Sequence, residues 1–109
     1  MGNNSKYDPF TSQNGLNVIS VFLSVHCCSP DAFIALSVPQ NRGFWPALML
    51  LLQQIDAQVV SATLSTCANK SFHFIHAQVP TGSDIDNDDL ETLLTALIVQ
   101  ELGVMPCMV

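Results

Sequence analysis

Basic side chains are nearly missing: Lys6, Arg42 and Lys70 are the whole set in 109 residues. Surfaces that track phosphates need clustered Lys and Arg, so a net charge of −6 excludes direct DNA or RNA contact by this segment. Charge of either sign is scarce, at 11% of residues against roughly 25% in an ordinary soluble domain. Long apolar runs are absent too. The longest aliphatic stretch, Ala47–Leu52, falls far short of the ~20 residues that cross a bilayer. The start of the chain lacks the charged-then-apolar pattern of a secretory signal. No G-x-S-x-G, P-loop or G-x-G-x-x-G is present, and the acids crowd one helix start while the cysteines lie elsewhere. A nucleophile, a His and an orienting acid therefore do not converge. The expectation is no enzyme, no catalytic residue and no cofactor.

Metal chemistry fares no better. Cys27, Cys28, Cys67 and Cys107 include no C-x-x-C pair, and adjacent Cys27 and Cys28 point to opposite faces of a strand. Free thiols fit better than a disulfide framework. His73 and His76 stand three apart in a strand, so they face opposite sides and cannot share a zinc ion. Asp84-Ile85-Asp86-Asn87-Asp88 opens like a calcium loop, yet Asp89 and Thr95 occupy the positions that need Gly and Glu. Capping of a helix is the better use of those carboxylates.

What the chain does have is apolar surface, 49% of residues. At this length there is room for one domain with one core. Part of the excess must then reach the surface, where large apolar patches mark a partner. Residues 1–16 read as a flexible polar lead-in, 17–103 as the domain and 104–109 as a tail. Alternation of period two predicts strands over Val18–Cys27, Ala32–Val38, Gln58–Cys67 and Ser71–Val79. Helical periodicity predicts helices over Trp45–Ile55 and Asn87–Leu102. On the first helix Phe44, Leu48, Leu51, Leu52 and Ile55 converge on one arc, and Leu50 lies nearly opposite. On the second, Leu90, Leu93, Leu94, Leu97 and Ile98 make the stripe, with Gly103 as the stop.

The expected fold is α+β in the order ββαββα: a two-layer sandwich, with a four-stranded antiparallel sheet and two helices on one face. The aliphatic rows Ile19/Val21/Leu23/Val25 and Ile34/Leu36/Val38 suit the helix side. In the third strand Val60, Ala62 and Leu64 alternate with Val59, Ser61, Thr63 and Ser65. The opposite sheet face then carries Phe22, Phe33, Phe72 and Phe74, with His76, among Ser, Thr and Gln. That uncovered face is the expected contact surface. Edge-to-edge strand pairing is the competing geometry.

Several stretches carry a family resemblance: Asp31-Ala32-Phe33-Ile34-Ala35-Leu36, Arg42-Gly43-Phe44-Trp45-Pro46-Ala47-Leu48, Ser61-Ala62-Thr63-Leu64-Ser65-Thr66 and Phe72-His73-Phe74-Ile75-His76-Ala77-Gln78-Val79. Over about Asn17–Leu102 the chain resembles the ACT-like, ferredoxin-like domain at the C-terminal end of plant basic helix-loop-helix (bHLH) transcription factors. The resemblance implies a nuclear dimerisation module that tunes homo- or heterodimer choice, and thereby DNA binding and transcription. It implies as partner a second copy or a related bHLH protein, with no membrane and no small-molecule ligand. A basic helix-loop-helix is not part of this sequence, so DNA binding would belong to residues beyond it. An amino-acid-sensing regulatory ACT domain is the alternative.

Overall fold

A computed structural model describes residues 20–80, 82 and 85–108. The lead-in, Val18 and Ile19 of the expected first strand, Asp84 and Val109 lie outside the described residues. The described elements are β1 (Phe22–Cys28), β2 (Asp31–Pro39), α1 (Phe44–Gln54), β3 (Gln58–Cys67), β4 (Lys70–Gln78), α2 (Asn87–Leu102) and β5 (Cys107–Met108). They form an α+β domain with one five-stranded sheet in the order β3-β4-β2-β1-β5.

Two expectations need correction here. The sheet has five described strands and is mixed, since β5 runs parallel to β1 while every other pairing is antiparallel. The order is accordingly ββαββαβ, and the stretch after Gly103 is more than a tail. The physical reason is an open sheet edge. Gly103 takes φ 72° and its N–H donates to Val99 O at 2.9 Å, a left-handed stop that turns the chain back. The Cys107 N–H then donates to Val21 O at 2.7 Å, giving β1 a backbone partner on its outer side.

Alternation fixes the two sheet faces. Leu23 and Val25 of β1, Ala32, Ile34, Leu36 and Val38 of β2, and His73, Ile75 and Ala77 of β4 are buried on one face. Register lines them up, with Val25 opposite Ile34 and Ile34 opposite Ile75. Phe44, Leu48 and Leu52 of α1, and Leu90, Leu94 and Ile98 of α2, complete that core. Leu51, Leu93 and Leu97 are only half-buried, so the true inward arc of each helix is narrower than the apolar stripe. These three border a groove between the helices together with Leu50.

The ends of α2 obey elementary capping. The Asp89 N–H donates to Asp86 Oδ1 at 2.9 Å and the Asp86 N–H to Asp89 Oδ2 at 3.2 Å, a reciprocal box worth about 1 kcal/mol. Asn87 then ties the helix to the sheet: its Oδ1 accepts from the Cys27 N–H at 2.8 Å while its Nδ2 donates to Glu91 Oε2 at 3.0 Å. Helix α1 starts at Gly43 without a side-chain cap. Asn41 Oδ1 instead accepts the Gly43 N–H at 2.9 Å, which holds the entering loop.

Strand β3 departs from its expected phase. Val59 pairs with Ala77 and Ser61 with His76, so Val60 is the extra residue of a bulge. Val59 thus shares the helix-side face with Ala62 and Leu64 rather than with Ser61 and Thr63. None of the ten residues of β3 is buried.

Candidate interaction surface

The face away from the helices is laid out in cross-strand rows. One row reads Ser61, His76, Phe33, His26 across β3, β4, β2 and β1; the next reads Thr63, Phe74, Ala35, Ser24; the third reads Ser65, Phe72, Ser37, Phe22. Rings and small residues share these rows unevenly: β4 carries His76, Phe74 and Phe72 in succession, β3 carries only Ser61, Thr63 and Ser65, and Ala35 and Ser37 follow Phe33 along β2. All five expected contact residues, Phe22, Phe33, Phe72, Phe74 and His76, stand on this one face. Phe74 is 57% exposed, Phe33 46% and Phe22 40%. Phe72 and His76 are half-buried among their neighbours.

Small residues beside large ones leave relief. A hollow of about 370 Å³ is lined by Ser24, Phe33, Ala35, Ser61, Thr63, Phe74 and both outer-face histidines. A second of about 200 Å³ lies between Phe22, Ser37, Phe72 and Phe74. Phe74, Ser24 and Ala35 border both, so Phe74 stands as a ridge between two depressions. Both are open to solvent. Such relief suits a partner with matching knobs better than it suits a fully enclosed small molecule.

Polar contacts hold part of the face rigid. The His76 Nε2–H donates to Asp31 Oδ1 at 2.8 Å, and Gln78 Nε2 donates to the same oxygen at 3.1 Å. Those hydrogen bonds, the His76 one first, draw the Asp31 carboxyl below its ordinary 3.8. Phe33 stacks on the His76 ring with centroids 4.5 Å apart and planes at 17°, which fixes both rings. The Lys70 ammonium sits 6.0 Å from the Phe22 centroid, at the outer reach of a cation–π contact. Asp31, Gln78, His26, Ser61 and Thr63 belong to this surface and were missing from the sequence-based set. His26, Ser61, Thr63 and Gln78 sit there by the same alternation that places the Phe rings, and Asp31 joins them because β2 begins one residue before its expected start.

His73 and His76 do face opposite sides. His73 is buried under α1, stacked on Trp45 with centroids 5.4 Å apart and planes at 13°, and tilted against Phe44 at 5.7 Å. Burial lowers its pKa. The four cysteines stand as free thiols; burial first, then Asp86 and Cys28, push the Cys27 thiol upward. Among the described residues, no three His, Cys, Asp or Glu side chains converge as a metal site.

No family model, no curated protein and no solved structure matches this chain.

Proposed function

We propose that this chain is a self-association domain of the ACT-like, ferredoxin-like kind, and that the open Phe face is its contact surface. The observation that carries the reading is the ridge-and-hollow relief. Phe74 projects between two depressions edged by small residues, so a two-fold axis near Ala35 would let the Phe74 of each copy enter a hollow of the other. A self-complementary patch of this kind is what an isologous dimer requires. Aromatic anchors at the centre of a contact with polar neighbours at its rim match the usual anatomy of an interface.

On the motif resemblance, the parent protein of this reading is a nuclear bHLH transcription factor of a plant, where pairing would select homo- or heterodimers and so tune DNA binding by residues outside this segment. The scarcity of basic side chains supports that division of labour. Among the described residues no helix is long and apolar enough to cross a membrane. Amino-acid sensing is the second reading, favoured by one observation only: the 370 Å³ hollow falls within the usual range of ligand sites.

The test is sedimentation equilibrium on the full chain and on Phe33→Ala and Phe74→Ala. Truncating an anchoring aromatic at an interface costs about 2 kcal/mol or more of binding, a loss of roughly thirtyfold in affinity. Unaltered self-association of both variants would reject the Phe face as the contact. A rise in melting temperature with a free amino acid, lost in Phe74→Ala, would favour the sensing reading instead.

A further inference from the structure

The helix layer has a groove of its own, on the side of the sheet opposite the Phe face. A hollow of about 280 Å³ lies between α1 and α2. Helix α1 contributes Ala47, Leu50, Leu51 and Gln54. Helix α2 answers with Leu93, Ala96, Leu97 and Gln100. Each set follows the i, i+3, i+4, i+7 spacing of a single helix face, so two matching stripes border one trough. The small side chains of Ala47 and Ala96 keep it open. Leu50 is 54% exposed, while Leu51, Leu93 and Leu97 are half-buried. No charged side chain occurs anywhere in α1.

We infer that this groove binds a partner protein through an amphipathic helix whose apolar face is flanked by Lys or Arg. The inference goes beyond the Phe-face contact and does not depend on it. Backbone chemistry selects a helix. The amides of both walls are bonded within their own helices, so the groove offers side chains alone. An extended segment laid there would leave its own N–H and C=O groups unpaired, whereas a helix arrives with them satisfied. Charge selects the basic flanks. Among the described residues every acid except Asp31 belongs to the helix layer or its ends: Asp56, Asp86, Asp88, Asp89, Glu91 and Glu101. The two helices run antiparallel. Asn87 anchors the start of α2 at Cys27, while a side-chain carbon at Gly43, just before α1, would meet Glu101 Oε1 at 3.8 Å. Glu101 therefore marks one mouth of the groove, and Asp56, Asp88 and Glu91 the other. Against these acids the described bases are Arg42, just before α1, and Lys70, which sits by Phe22 on the other face. A second copy of this chain would bring acid to acid here, so charge selects a different, basic partner.

Size sets the expected strength. Helix α1 is 11 residues long, about three turns or roughly 16 Å, which matches partner anchors at i, i+3 or i+4, and i+7. A stable interface usually draws about 20–30 residues from each side, more than this groove supplies. The contact is therefore a transient one, and its charged flanks make it weaken as salt rises.

The experiment titrates the full chain into a fluorescein-labelled peptide of roughly four helical turns. The peptide carries Leu at i, i+3, i+4 and i+7 on an Ala background, with paired Lys at each end. A shuffled peptide of the same composition and one with Glu in place of Lys are the controls. The first peptide is expected to bind in the micromolar range, more weakly at high salt, and neither control to match it. Leu50→Gln removes an anchor from α1, and Ala96→Gln fills the trough from α2. Neither changes the net charge, so a loss reports on the groove itself. Each should weaken binding by about fivefold or more. Both positions are exposed, and either variant serves should the other fail to give a native circular-dichroism spectrum. Glu101→Gln should flatten the salt dependence. Amide shift changes should gather on α1 and α2. Equal binding of the shuffled peptide, indifference to both Gln substitutions in the groove, shifts gathered on the Phe face, or no binding at all each overturn the inference. So does a fall in the chain's own sedimenting mass with Leu50→Gln, which would make the groove a contact between copies.

Discussion

His73 shows how a polar residue can be used as packing. Its ring fills the space between Trp45 and the sheet, and its cross-strand neighbours are Leu36 and Leu64. No charged group appears among these neighbours, and Nδ1 is buried without a hydrogen-bond partner. Such a site favours the neutral ring, and burial accordingly holds the pKa below the usual 6.5. The sign of the linkage follows. Between the folded pKa and 6.5 the unfolded chain binds the proton and the folded chain does not. The stabilisation is complete above 6.5 and is lost as pH falls through the folded value, with a slope of at most about 1.4 kcal/mol per pH unit. Asp31 contributes in the same direction but lower, above 3.8, because its carboxyl is drawn downward by His76. Chemical denaturation of wild type and His73→Phe across mildly acidic pH should show a shallower loss in the variant, since Phe keeps the stack on Trp45 without a proton site. Parallel pH profiles would mean that His73 titrates alike in the folded and unfolded chain.

At the scale of elements, the β3–β4 hairpin turns on two residues, Ala68 at φ 52° and Asn69 at φ 65°. Cys67 pairs with Lys70 across them. Both turn residues are left-handed, the geometry that matches the twist of a two-residue hairpin. Asn tolerates that region, while Ala has no local hydrogen bond to offset the contact of its Cβ with the carbonyl. Ala68→Asn should therefore raise the unfolding free energy by about 0.5–1 kcal/mol, read as a higher urea midpoint at constant slope. An unchanged midpoint would show that the turn carries no such strain. The same hairpin shows what a sequence can and cannot disclose. The polar break at Ala68-Asn69-Lys70 and the alternation of β4 were legible, because turn chemistry and period two are local signals. The placement of β3 was not. Val59, Val60 and Leu64 look like core in the one-dimensional pattern, but burial depends on how far a helix overlies that strand, and here all ten residues of β3 stay exposed. The bulge at Val60 then shifts the phase of everything before it, a one-residue event with no marker in composition. The Phe set was legible for a related reason: β1, β2 and β4 lie inside the sheet, where one face must meet the helices and the other must not.

For the whole molecule, the arrangement of edges matters more than any single contact. Phe22–Cys28 would be a bare edge if β5 did not cover its first residues, and β3 is already bare. One bare edge that paired only with its own copy would close as a dimer. Two bare edges of different sequence can also join to each other, and such a heterologous join runs on as an open chain unless its rotation closes a ring. The short β5 would then act less as stabiliser than as a guard against polymerisation. Deleting residues 105–109 tests this. Losing the Cys107–Val21 hydrogen bond removes only about 1 kcal/mol of stability, so the fold should persist with a native circular-dichroism spectrum. Light scattering should nonetheless show mass that keeps rising with concentration, where the intact chain reaches a plateau. Adding Leu64→Lys to the deletion should restore the plateau, because a polymer built from β1 and β3 edges stops when either is blocked. A truncated chain with the same mass plateau as the intact one would show that β5 leaves the β1 edge no more exposed when it is gone, and that the acidic charge of the molecule alone keeps its edges apart.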